Sequence, residues 1–184
     1  MDGLLWSMVI YFDRIRFMVE FALREDIDVL DFLTDLDELK YWSSQFENEI
    51  KVLIGDGVGW EKKVFGDWGL REMVIHFSAW AALTIESIEK VKNGEGEPVP
   101  VLEFDSDWRE FNEREIAERV EMSGEEIHKE FLDLRERLYR EYASVRGGET
   151  NEMLYEFVSW CVEMDVEHYR EHSGEVSKVV TALE

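Results

Sequence analysis

The chain reads as an all-α protein, a four-helix bundle with an extra N-terminal helix and a long crossover between bundle helices two and three. Three observations carry that expectation. Apolar residues recur three and four positions apart through four long segments, about 35–54, 67–92, 123–146 and 150–172. The two prolines, Pro98 and Pro100, stand together between the second and third segments, where no helix can continue. The alternating β-branched pattern that strands require is nearly absent.

Taken in order, Leu4 to Arg24 puts Leu5, Met8, Phe12, Ile15 and Val19 on one helical face and Asp13, Arg16, Glu20 and Arg24 on another. Charges interrupt its apolar run before the roughly 20 residues a membrane span needs. Its polar face, two acids against two arginines, also lacks the basic excess of a membrane-surface helix. Residues 25–34 read as a short connecting helix or turn, so 1–34 form an N-terminal helical extension and 35–184 the bundle.

Asp35 is expected to cap a helix striped by Leu39, Trp42, Phe46, Ile50 and Leu53 and ended by Gly55-Asp56-Gly57. After a loop containing Trp60, Gly66-Asp67-Trp68-Gly69 opens the next helix with Asp67 as its N-cap. The inward line of that helix is Met73, His76, Trp80 and Leu83. Asn93 to Pro100 forms the crossover, and Phe104 to Met122 holds a short acidic helix across one end. Ser123-Gly124-Glu125-Glu126 is a capping box. It starts a helix that turns Ile127, Phe131, Leu134, Leu138 and Tyr142 inward and stops at Gly147-Gly148. Thr150 caps the last long helix, and Glu175 to Glu184 reads as a short closing one.

At 184 residues with 45% hydrophobic content, the chain can bury about 70% of its unfolded surface around one core. Its formal net charge of −23 repels phosphate backbones and anionic lipid alike, and no basic cluster offsets it. Nucleic-acid and membrane partners are therefore not expected; a small-molecule substrate is. The single cysteine, Cys161, excludes an intrachain disulfide and lies on an apolar stripe as a small buried hydrophobe. No basic region precedes a clean apolar run, so no signal peptide is evident and the cytoplasm is the expected location.

The last long helix carries the stretch on which a functional reading turns. Leu154, Phe157, Cys161, Met164 or Asp165, His168 and His172 form one line, so the apolar stripe finishes in two histidines one turn apart. Solvated histidines near a helix C-terminus are common, but these two continue an inward face. His76 adds a third imidazole from another inward face. Three neutral imidazoles suit zinc, and also nickel or iron. Three protein ligands leave a position for water or substrate, the arrangement of a catalytic site. His128, the fourth histidine, falls on the polar side of its helix and is expected to be solvated.

Gly66 to Trp80, with His76 inside it, resembles the second-helix signature of DinB-like proteins, the superfamily that includes mycothiol-dependent maleylpyruvate isomerases and the ClbS/DfsB group. Glu167-His168-Tyr169-Arg170-Glu171-His172 is similar to that superfamily's last-helix motif, and Phe111-Asn112 followed by the Ser123 helix start also fits. The resemblance covers roughly residues 36–176. It implies a four-helix bundle whose His76, His168 and His172 bind a divalent metal, zinc first, and an activity of the thiol-dependent transferase, isomerase or hydrolase kind. A low-molecular-weight thiol is the cofactor such an activity would add. Trp80 as a wall of the pocket, Asn112 as a polar group aimed at it and Tyr169 as an acid are the further candidates; ordinary core packing is the alternative for Trp80. The opposing expectation is a non-catalytic helical dimer with a structural or vestigial metal site.

Trp6, Met8, Val9, Ile10, Phe12, Phe17 and Phe21 wrap well over half the circumference of the N-terminal helix. Packing on one side would leave an aromatic strip in water, and pairing with a two-fold copy would cover it. Light scattering of the intact chain at micromolar concentration is expected to give twice the 21.8 kDa chain mass. A monomer mass there overturns the dimer.

Overall fold

Leu36, Leu39, Phe46, Ile50 and Leu53 are all buried along one side of a single helix, α1 (Val29–Gly55). The computed structural model describes residues 29–55, 59–95, 105–145 and 152–182. The N-terminal helix expected at Leu4 to Arg24, the Gly147-Gly148 stop, the Thr150 cap and most of the crossover lie outside those residues. α1 runs through Asp35, so Asp35 is not an N-cap. The reason is Phe32, which with Leu36 extends the apolar stripe toward the N-terminus, at 3% and 5% exposure.

Lys63–Phe65 and Trp68–Gly69 form strands β1 and β2 of a small antiparallel hairpin, which the periodicity did not anticipate. Gly66, at φ 54°, supplies the left-handed turn residue. Asp67 therefore sits in the turn and is not the cap of the next helix. That helix, α2 (Leu70–Lys92), is capped by Gly69, whose backbone N–H donates to Glu72 Oε2 at 2.7 Å.

A short helix, α3 (Asp105–Glu118), precedes α4 (Gly124–Ser144). The capping box at Ser123 is formed: Glu126 N–H donates to Ser123 Oγ, and Ser123 N–H donates to Glu126 Oε2 at 2.7 Å. Arg71 of α2 locks the α3–α4 turn by donating to the carbonyls of Arg119, Val120 and Met122 at 2.5–2.9 Å. The final helix, α5 (Glu152–Thr181), is continuous through Gly174, so no separate closing helix exists. Val176 is fully buried, and Val179 and Val180 pack on the core. Those contacts hold the helix past a glycine that would otherwise weaken it.

Among the described residues the structure is helical apart from the hairpin. α1 lies mainly on α5, α2 on α4, and α3 against α2. Phe46 of α1 sits where all four long helices meet. Its ring is 4.7 Å from Phe77 of α2, 5.9 Å from Phe131 of α4 and 5.9 Å from Tyr169 of α5. Polar links cross the same core: Arg135 donates to the Ser43 carbonyl at 3.1 Å and to Glu47 at 2.5 Å, and Tyr139 bonds Ser43. Cys161 is buried, and burial pushes its thiol well above the ordinary range. No helix among the described residues is long and apolar enough to cross a membrane.

His128 is half-buried rather than freely solvated. It packs beside Trp60 and stacks on Phe131. Its Nε2 is buried with no hydrogen-bond partner among the described residues, and burial lowers its pKa. Trp60 also roofs Gly124, where an added Cβ would lie 2.0 Å from the indole nitrogen. Gly124→Ala should therefore destabilise the fold by about 1–3 kcal/mol, despite alanine's better helix propensity. Urea melts read this directly, and an unchanged or raised midpoint would refute the Trp60 contact.

Asp165, not Met164, turns toward the core: Met164 is 39% exposed, while Tyr142 donates to Asp165 Oδ2 at 2.7 Å. Burial raises the Asp165 carboxyl to about 7 despite that bond. Between pH 4 and 7 the folded chain thus keeps a proton that the unfolded chain has lost, so this group's contribution falls as pH rises through the window. Asp165→Asn should accordingly stabilise the protein by roughly 1–3 kcal/mol at pH 8, and by less at pH 5. Thermal melts of both chains at the two pH values check this. Equal shifts would show that the carboxyl is not held protonated.

Candidate metal centre

One turn of α5 separates His168 from His172, and α2 brings His76 opposite them. Each of the three offers a ring nitrogen, and the three nitrogens lie within 4.8 Å of one another. Ring centroids are 4.8 Å apart for His76–His168, 4.8 Å for His168–His172 and 5.7 Å for His76–His172. His76 and His172 are buried at 8% and 3% exposure, and His168 is half-buried.

Burial sets the charge state. Desolvation pushes His76 down to about 3, helped by the proximity of His172, and takes His172 to about 4. His168 falls well below the usual histidine range, first through burial and then through its two neighbours. All three rings are neutral at physiological pH, the state in which imidazole offers a lone pair. His76 Nε2 and His168 Nε2 are 2.8 Å apart. Ligand bonds of 2.0–2.1 Å in a tetrahedral site separate nitrogens by roughly 3.3 Å. That pair is therefore closer than two ligands of one ion, while all three nitrogens lie near enough to share a single metal ion.

The hairpin walls this cluster on one side. Trp68 lies 5.2 Å from the His76 ring, and Phe65 meets the His172 ring edge-on at 5.4 Å. Phe77 closes another side at 4.7 Å from His168. Neither Phe65 nor Trp68 was a candidate from the sequence. The signal available was a Gly-Asp pair between Val64-Phe65 and Trp68, a hairpin turn only two residues long.

Of the remaining candidates, Asn112 and Trp80 both reach His76. Asn112 Oδ1 is 3.0 Å from His76 Nδ1, and Trp80 Nε1 is 3.2 Å from the same atom. Trp80 stacks on Trp108 at 4.2 Å and packs on Phe111, which fixes α3, and with it Asn112, over α2. Tyr169 lies elsewhere: its ring stacks on Phe77 at 4.3 Å. The groups that bear on its hydroxyl are Tyr139, Asp165 and Arg135, none of them a candidate ligand. Burial holds that phenol well above its ordinary pKa. Glu167 pairs with Arg170, which also bonds Glu38 at 2.5 Å, and Glu171 is exposed.

No protein-family model matches the chain, and neither does any curated protein or solved structure.

Proposed function

We propose that the chain is a DinB-like, metal-dependent enzyme built on a four-helix bundle, a thiol-dependent transferase or a hydrolase acting on a small electrophilic molecule. The single observation that carries this reading is the convergence of three neutral imidazoles, two buried and one half-buried, from two helices. The resemblance of the segments around His76 and His168 to DinB-like motifs supplies the reaction class. His76, His168 and His172 would hold the ion. A divalent ion with three imidazole ligands supplies Lewis acidity, lowering the pKa of a water or thiol toward neutrality. Phe65, Trp68 and Phe77 line the walls; they exclude bulk water and favour an apolar or planar substrate. Tyr169, packed in the core, is not proposed as an acid.

Elemental analysis of protein purified without an affinity tag is expected to find about one equivalent of zinc, nickel or iron per chain. His168→Ala should abolish it. A chelator should remove the ion with only a modest loss of thermal stability, because the apolar core around Phe46 is built from side chains other than the three histidines. Screening electrophiles with and without low-molecular-weight thiols should then show turnover that the chelator stops. Outright unfolding by chelator at room temperature, or full activity without metal, would overturn the reading.

A further inference from the structure

We infer that His76 is a two-tautomer switch, with Asn112 favouring its metal-accepting form and Trp80 its metal-free form. The inference rests on the metal-site reading above.

A neutral imidazole carries one N–H and one lone pair. At Nδ1 of His76 the two neighbours make opposite demands. The Asn112 carbonyl, 3.0 Å away, only accepts, so it needs Nδ1 protonated. The Trp80 indole, 3.2 Å away, only donates, so it needs Nδ1 bare. Both bonds cannot exist at once.

The opposite ring atom gives the choice its consequence. When Trp80 donates to Nδ1, the proton sits on Nε2 and is given to His168 Nε2 at 2.8 Å. In that form two of the three candidate ligands are tied to each other. When Nδ1–H donates to Asn112, the Nε2 lone pair faces His168 and His172 and is free for an ion. An imidazole that donates its outer N–H to a carbonyl is the usual support for a metal-ligating histidine. Asn112 is therefore a positioning residue that acts through His76, and Trp80 is its antagonist.

The two partners are coupled by packing. Trp80 stacks on Trp108 and touches Phe111, the residue before Asn112. Phenylalanine at position 80 keeps an aromatic face for Trp108 while losing the N–H together with part of the indole's packing area. Aspartate at 112 keeps the acceptor and cannot turn a donor toward Nδ1, whereas asparagine can flip. Leucine at 112 keeps the volume and loses the acceptor.

The experiment measures zinc affinity by competition with a chromogenic chelator, using the full chain and the variants Asn112→Leu, Asn112→Asp and Trp80→Phe. Asn112→Leu should weaken zinc binding by roughly 10–100-fold. Asn112→Asp should bind at least as tightly as the parent chain, and Trp80→Phe more tightly. Long-range proton–nitrogen spectra of the parent should place the His76 proton on Nε2 without zinc and on Nδ1 with it. Weakening by both Asn112→Leu and Trp80→Phe would mean that the two residues merely pack, and would overturn the switch. A His76 proton on Nδ1 in both states would overturn it as well. Absence of zinc binding by the parent would overturn it together with the metal-site reading, whereas tight parental binding unmoved by the variants would overturn the switch alone. If Asn112→Leu fails to fold, the Asp and Phe variants and the spectra decide.

Discussion

Phe77 is the side chain on which both the core and the candidate site depend. One of its faces stacks on Tyr169 at 4.3 Å and 13°, joining α2 to α5, and the ring also meets Phe46 of α1 and Phe131 of α4 at steep angles. The same ring lies against His168 and His172. Aromatic contacts of this kind add to area burial only in offset or edge-on geometries, so they fix the register of α2 against α5 as well as its distance. Register is what sets His76, one residue before Phe77, opposite His168, one residue before Tyr169. The stacked pair and the facing histidine pair are adjacent rungs of one helix–helix contact.

The candidate site gains its chemistry from the same burial. An exposed histidine near its ordinary pKa is partly protonated near neutrality and is a poor ligand for a cation. Desolvation against Phe77, Phe65 and Trp68 removes that competition from protons, holding His76 near 3 and His172 near 4. Asn112 then offers a carbonyl to the outer nitrogen without adding charge. Neutrality, orientation and shelter thus come from separate elements, α5 and α2 for the rings, α3 for the carbonyl and the hairpin for the wall.

Much of this was legible in the sequence wherever one helix face decides the outcome. The stripe from Leu39 to Leu53, the Ser123 capping box and the line ending in His168 and His172 follow from a 3.6-residue period. Choices settled by a second element were not legible. Spacing alone leaves Met164 and Asp165 equivalent, and the Tyr142 hydroxyl on α4 selects Asp165. His128 is polar-facing on its own helix, yet the loop carrying Trp60 covers it. The hairpin was missed because three residues paired with two give no period to count. The short closing helix expected from Glu175 is instead the end of α5, and the burial of Val176 beyond Gly174 shows why the helix continues.

Charge decides what the proposed site would favour in its open position. Three neutral imidazoles leave a divalent ion's two positive charges uncompensated in partly dry surroundings, where unpaired charge is costly. The carboxylates around the two histidines on α5 are otherwise placed: Glu167 is engaged by Arg170, Glu171 is exposed and Asp165 accepts from Tyr142. The chain's net charge of −23 concentrates cations around the molecule, but it is spread over a screened surface and cannot neutralise an ion in the core. Compensation must then come from the remaining ligand, and an anion is preferred there over a neutral group. Thiolate and hydroxide are anions made from neutral precursors by loss of a proton, the step Lewis acidity promotes. Among the described residues the cluster comprises three imidazoles, so under the proposed function the remaining position of the ion would go to a nucleophile it activates.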